Sequence, residues 1–182
     1  TDYEDLQVQV FNSVAPVTEN IGSADIDGLE LELQASPGAG WLIDATFAWL
    51  DAEYDEIDTQ LTLIGEDFAF ERVPDYSGSL GVSKEFSLNS MGTLIVRADA
   101  SYRDDPFNDA YNTPVLETDS YNLVDARVRW VSPSESLSVT LSGINLTDED
   151  YLATGVYGTA FQAFEGVYDR GSQWLLEAQW EF

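Results

Sequence analysis

The sequence has no cysteine, no histidine and only seven basic residues among 182. Without Cys or His there is no thiol nucleophile, no imidazole acid or base, no Ser-His-Asp triad and no zinc site of the Cys/His kind. Seven Lys and Arg against thirty-four Asp and Glu give a formal charge of -27. That charge repels a phosphate backbone and offers no basic cluster to release counterions, so nucleic acid is not an expected partner. Long hydrophobic runs are missing too: no stretch reaches the eighteen or so apolar residues of a membrane helix. A secretory leader is also missing. The chain opens at "TDYEDLQVQVF", almost directly in a strand, which suggests a processed product or a piece of something longer.

What is present is alternation. Hydrophobic residues are 44% and aromatics 13% of the chain, and both recur with a period of two, which a disordered acidic chain would not show. "DLQVQVF" sets Leu6, Val8 and Val10 on one face, and a loop containing "APVTEN" follows. "DGLELELQA" opposes Leu29, Leu31 and Leu33 to Glu30, Glu32 and Gln34. "WLIDATFAWL", "DYSGSLGVSKEF", "TLIVRADASYR", "YNLVDARVRW" and "LSVTLSGI" repeat the pattern, and the chain ends on "WLLEAQWEF". The reading is about eight antiparallel strands and no helix.

The connections alternate between short and long. "SPGAG", "LNSMG" and "SPSES" are brief, whereas the others are long, acidic and rich in Asn, Asp and Gly. A soluble hairpin stack has no reason to keep its long loops at one end, but outer-membrane barrels have short periplasmic turns and long outer loops. Aromatics gather near the ends of the apolar stripes, and the eight steps from Trp41 to Trp49 climb about 20 Å at a barrel tilt, close to an outer-membrane apolar band. The competing reading is a water-soluble β-sandwich or lipocalin-like barrel whose apolar face is core. Several strands here exceed the usual five or six residues of such folds.

If "TLIVRADASYR" pairs with "YNLVDARVRW", then Arg97, Asp99, Asp125, Arg127 and Arg129 share one polar face of neighbouring strands. Opposite charges across such a ladder would support it by a few tenths to about 1 kcal/mol each. This face is read either as a structural charge ladder or as a functional wall. The acidic runs "DAEYDEID" and "TDEDY" lack EF-hand spacing and its turn glycine, so solvated loop tips are expected rather than a metal site. No cleft aligns a carboxylate pair for glycoside hydrolysis, and no enzyme is expected.

The ordered pieces "ADIDGLELELQASP", "WLIDATFAWLDAEYDE", "RVPDYSGSLGVSKEF", "SYNLVDARVRW", "LSGINLTDEDYLATG" and "WLLEAQWEF" resemble the C-terminal barrel portion of a TonB-dependent outer-membrane receptor over the whole chain. The resemblance implies an all-β, antiparallel transmembrane β-barrel, with residues 1–182 as about the last eight strands of a larger barrel and no plug domain among them. It implies residence in a Gram-negative outer membrane, in contact with its lipid. It further implies uptake of a scarce small-molecule ligand (ferric siderophore, cobalamin or carbohydrate), driven by the TonB system through the absent plug, with no catalytic residue or cofactor. Trp174, Leu176, Trp180 and Phe182 would be both lipid-facing and the signal read by the barrel-assembly machinery. Arg97, Asp99, Asp125, Arg127 and Arg129 would face the plug or the ligand path. Position and residue type make Tyr54, Phe68, Phe70, Phe107, Tyr111, Tyr157, Phe161 and Phe164 candidates for ligand contact in the outer loops. The alternative is a self-contained eight-stranded barrel with a structural or adhesive role, although Ser77, Ser79, Gly81, Ser83, Ser138, Thr140 and Ser142 are too small to fill a narrow lumen.

Overall fold

The computed structural model describes residues 1–12, 15–58, 64–158 and 162–182. Among them lie ten strands: β1 (Asp2–Asn12), β2 (Ala15–Gly38), β3 (Trp41–Ile57), β4 (Tyr76–Ser87), β5 (Thr93–Arg103), β6 (Tyr121–Val131), β7 (Leu137–Ile144), β8 (Leu152–Gly158), β9 (Ala163–Tyr168) and β10 (Gln173–Trp180). Eight of them form one antiparallel sheet in the order β1-β2-β3-β4-β5-β6-β7-β10, and β8 pairs only with β9. No ladder joins β1 to β10 among the described residues, so the sheet is open at both edges.

The register keeps each face pure. Leu33, Ala45, Leu80, Ala100 and Val124 follow one another across β2 to β6, and Val96, Val128, Leu141 and Leu176 do so across β5, β6, β7 and β10. The opposite face carries Glu32, Thr46, Ser79 and Ser101 in one row and Ser83, Arg97, Arg127 and Ser142 in another. A one-residue slip anywhere would interchange the two sets. In a sandwich the apolar rows would be core, yet Leu31 is 55% exposed, Leu33 58% and Leu176 72%. The buried apolar side chains among the described residues are Ala24, Tyr54, Ile64, Leu116 and Leu152, none in the middle of the sheet. The soluble-sandwich reading is therefore set aside: among the described residues the apolar face has no partner sheet.

Each short connection sits at the same end of the sheet. Ala39 and Gly40 join β2 to β3, a single 3-10 turn at Asn89–Met91 joins β4 to β5, and Ser132–Ser136 joins β6 to β7. Gly92 closes the second turn with φ +94°, where a Cβ would also collide with the Val131 carbonyl, so no other residue fits. In the third, Ser132 Oγ accepts from Leu137 N at 3.1 Å and Ser134 and Ser136 share a hydroxyl hydrogen bond of 2.7 Å. Beside this end the Lys84 ammonium lies 5.3 Å from the ring centres of both Trp41 and Phe86 and donates to the Ala39 carbonyl. A lysine bent off an apolar stripe in this way marks its polar border.

Three sequence expectations need correction at the other end. "APVTEN" is not loop: Ala15 to Asn20 are strand, paired with β1 from Asn12 back to Gln7. β3 likewise runs on to Ile57 through "DAEYDEI", eight residues past Trp49, where its pairing with β4 stops. Extended backbone covers about 3.3 Å per residue, so β1, β2 and β3 rise well beyond the β4–β7 wall. The long connection from β7 to β10 is not irregular throughout either, since "LATGVYG" and "AFEGVY" pair as the β8–β9 hairpin.

Candidate functional site

The polar face of β3 to β7 and β10 is a shallow concave wall with a groove of about 420 Å³ between Asp99, Asp125, Arg127, Arg129, Thr140 and Glu177. The five expected wall residues all project from this face, but like charges stand opposite each other. Arg97 pairs in register with Arg127, and Asp99 with Asp125. Directly opposed like charges are unfavourable, so the expected stabilising ladder is not what forms. The charges are satisfied along other directions. Arg97 reaches across the whole of β4 to Asp44 on β3, donating Nη1 to Oδ1 and Nη2 to Oδ2 at 2.8 Å each, while its Nε and Nη2 also donate to Asp99. Asp125 turns instead to the end of β7 and accepts from Asn145 N at 2.8 Å.

Gly81 makes the Arg97–Asp44 bridge possible. It lies between Asp44 and Asp99 in the ladder rows. A Cβ there would come within 2.8 Å of Asp99 Oδ1 and closer still to Arg97 Nη2 and Asp44 Oδ2. A glycine inside a strand often marks such a close approach. Arg127 and Arg129 have no carboxylate within salt-bridge distance among the described residues. Arg129 Nη2 instead donates to the neutral Ser138 Oγ at 3.4 Å.

Above the wall, three loops are tied into one layer through Arg72. Its amide donates to Phe107 O at 2.7 Å, its carbonyl accepts from Arg103 Nη2 at 2.9 Å, and its Nη2 donates to Thr154 Oγ1 on β8 at 3.0 Å. Asn112 adds a two-way bond with the backbone of Ala69, at 2.7 and 2.8 Å. Buried Asn108 donates to Leu116 O and Thr118 Oγ1, and Thr118 donates to Leu152 O. Leu116, 2% exposed, lies against Gly155, where an added Cβ would be 2.8 Å from its Cδ2.

Asn145, at the head of "NLTDEDY", closes the last loop. It sits at φ +50°, is 4% exposed, donates Nδ2 to Glu149 O and Arg170 O, and accepts at Oδ1 from Glu149 N and Thr147 Oγ1. At the base of this loop Tyr151 stacks on Tyr121 with ring centres 4.0 Å apart and donates its phenol to Asp169. Burial and the adjacent carboxylate push the Tyr151 phenol above its ordinary range. The same bond, with the Arg170 amide, holds the Asp169 carboxyl below the usual carboxylate value.

The expected outer aromatics divide by position. Tyr54, 7% exposed, stacks on Phe70 at 4.1 Å and packs with Ile64 and Phe68 at the foot of the β3–β4 loop. Phe107 forms an isolated bridge with Glu117, and Tyr111 is exposed. Tyr157 and Phe164 face each other at 4.8 Å on the β8–β9 hairpin, both exposed. Phe161 lies outside the described residues. The terminal group is on the edge strand: Trp174, Leu176 and Trp180 are each at least two-thirds exposed, and Phe182 follows the last paired residue. The Trp174 ring covers Gly143 of β7, 3.2 Å from where its Cβ would be.

Sequence reasoning missed a cleft of about 310 Å³ at the outer end of β5 and β6, lined by Arg72, Arg103, Asn108, Tyr121, Tyr151 and Leu152 among others. Arg103 and Tyr121 pair in register and continue the parity of Arg97 and Asp99, so both are on the polar face. The available signal was the scarcity of basic residues: Arg72 and Arg103 are two of only seven.

An open, two-faced sheet with short turns at one end and a bonded loop layer at the other is matched by the model of one family, described as TonB dependent receptor-like, beta-barrel, over residues 1–146. The chain belongs to the TonB-dependent receptor family. Among solved structures, the ferric yersiniabactin uptake receptor FyuA from Yersinia pestis is similar over all of this chain and 26% of its own, with a TM-score of 0.82 and 20% identity. The siderophore receptor PiuA from Acinetobacter baumannii matches over 99% of this chain and 24% of its own, with a TM-score of 0.74 and 21% identity. BauA, the ferric preacinetobactin receptor from the same organism, matches over 100% and 25%, with a TM-score of 0.69 and 19% identity. The chain thus spans about a quarter of the receptors it matches, and the likeness establishes an antiparallel membrane-barrel wall.

Proposed function

We propose that this chain is part of the wall and outer loop layer of a Gram-negative outer-membrane receptor that takes up a scarce small-molecule ligand, with energy supplied by the TonB system through a plug domain outside residues 1–182. The observation that carries the reading is the open eight-stranded sheet with one bare apolar face and one polar face. In lipid, unpaired backbone edges cost several kcal/mol per group, so both edges call for further strands. That argues for a large barrel over a self-contained small one. Arg127, Arg129 and Glu177 then project into a wet lumen, where a plug or a passing ligand meets them. The family is one of receptors, and the wall is assigned no catalysis and no cofactor.

In the full receptor, accumulation of labelled ligand inside cells should stop when TonB is deleted while surface binding persists. Accumulation indifferent to TonB would refute the receptor reading. Arg127→Ala should slow uptake with surface binding unaltered, and unchanged transport would reduce Arg127 to a structural part. For the edge strand, deleting Phe182 should lower the amount of barrel assembled in cells without altering the stability of receptor refolded in detergent. Equal loss in both settings would make Phe182 merely structural.

A further inference from the structure

Resting on the receptor reading, which puts the apolar face in lipid and the short turns at the periplasmic side, we propose that Lys84, with Trp41 and Phe86, binds the phosphate of one anionic glycerophospholipid of the inner leaflet. Of the seven Lys and Arg, Arg97, Arg103, Arg127 and Arg129 stand on the polar face, and Arg72 and Arg170 belong to the outer connections. Lys84 alone projects on the apolar face, in the row that runs Trp41, Lys84, Val96, Val128, Leu141 and Leu176. A cation in such a row loses solvation unless a partner offsets the loss.

The surroundings hold this cation in place without neutralising it. Its ammonium lies 5.3 Å from the ring centres of both Trp41 and Phe86, within cation–π reach, and donates to the Ala39 carbonyl. That is one recorded bond for a group with three donors. No carboxylate is within salt-bridge distance of it among the described residues. Neither its own row nor the next row toward the turns, formed by Phe86, Leu94, Trp130 and Val139, contains an acid. A phosphodiester oxygen therefore meets an unneutralised ammonium in a charge-assisted bond. The choline or ethanolamine cation of a zwitterionic lipid finds no carboxylate beside it, so the site favours a headgroup of net negative charge. Both rings are exposed on the lipid side, and Val82 and Leu80, farther from the turns on the same face, lie along the course of an acyl chain.

The test uses the full receptor, delipidated in detergent and titrated with dioleoylphosphatidylglycerol or dioleoylphosphatidylcholine, with bound lipids counted by native mass spectrometry. Cations elsewhere in the receptor act equally on every variant, so the difference between variants isolates Lys84. Affinity at the tightest phosphatidylglycerol site should fall about fivefold in Lys84→Gln and hold in Lys84→Arg, which keeps the charge. Phosphatidylcholine binding should be the same in all three proteins, and the preference for phosphatidylglycerol should shrink as salt rises. Phosphatidylglycerol affinity unchanged in Lys84→Gln, or equal weakening toward both lipids, would overturn the site. So would displacement of the lipid by inorganic phosphate beyond that caused by chloride at the same ionic strength. TonB-dependent uptake by a receptor without this lipid preference would leave the receptor reading standing while removing this one.

Discussion

Gly81→Ala tests the wall's central bridge. The guanidinium of Arg97 passes over β4 only because position 81 has no Cβ, and an alanine methyl would occupy the space of Arg97 Nη2 and Asp44 Oδ2. Both are ends of side chains, so the strand need not move; Arg97 would swing out and lose its two 2.8 Å bonds to Asp44. Charge-assisted hydrogen bonds contribute about 1.5–3 kcal/mol when sheltered and an exposed pair under about 1 kcal/mol. Arg97 is 29% exposed and Asp44 37%, which places the loss at about 1–2 kcal/mol after screening. Replacing a strand glycine returns about 0.5 kcal/mol. Unfolding of the full receptor in urea and lipid vesicles should show Gly81→Ala destabilised by about 1 kcal/mol in the native background and neutral or slightly stabilised in Arg97→Gln. An equal cost in both backgrounds would refute the bridge, because the damage would then come from backbone crowding.

Three further outcomes follow from the same geometry. Leu80→Arg, on the apolar face, should cost about 2–4 kcal/mol in a bilayer if the site lies near its midplane, while Ser79→Arg on the lumen face should cost little; equal costs in vesicle unfolding would contradict the facing. Asn145→Ala removes several side-chain bonds and puts alanine at φ +50°, so residues 145–172 should become faster in hydrogen exchange by the equivalent of about 2–3 kcal/mol, and unchanged protection would count against the closure. For the Tyr151–Asp169 bond, the Asp169 carboxyl is depressed by the phenol and the Arg170 amide, so its contribution is present above the ordinary carboxylate value near about 4 and is lost as pH falls through the lower folded value. The raised Tyr151 phenol keeps its proton beyond about pH 10. Hydrogen exchange over residues 151–169, corrected for intrinsic rates, should therefore be flat from about pH 5 to 9; loosening inside that window would contradict the bond.

The parts legible in the sequence were those governed by period and turn chemistry. Strict alternation gave the eight sheet strands and both of their faces, because a period of two fixes the side on which each residue projects. "LNSMG" and "SPSES" marked tight ends, where a 3-10 turn and Ser132–Ser136 do turn the chain. The β8–β9 hairpin escaped because "LATGVYG" and "AFEGVY" hold glycines and alternate poorly; Gly155 and Gly166 leave room there for Leu116 and Leu152 to pack. "APVTEN" looked like loop because it has a proline and no alternation, but β1 beside it imposes extension.

Long-range chemistry was hidden for a different reason. Arg97 and Asp44 are 53 positions apart and two strands away from each other, so their bridge required the register of β3, β4 and β5 together. The same register put Arg97 opposite Arg127 rather than an acid. Arg72 and Arg103 carry no motif and are brought together where the β3–β4 loop reaches the end of β5.

The central claim is that this sheet is a section of a large receptor barrel. An antibody to residues 1–182, used on purified outer membranes, measures it directly through the size of the protein detected. A band several-fold heavier than 20.2 kDa is the predicted result, since the solved receptors are about four times this length. A band near 20.2 kDa would mean a self-contained barrel and would contradict the account.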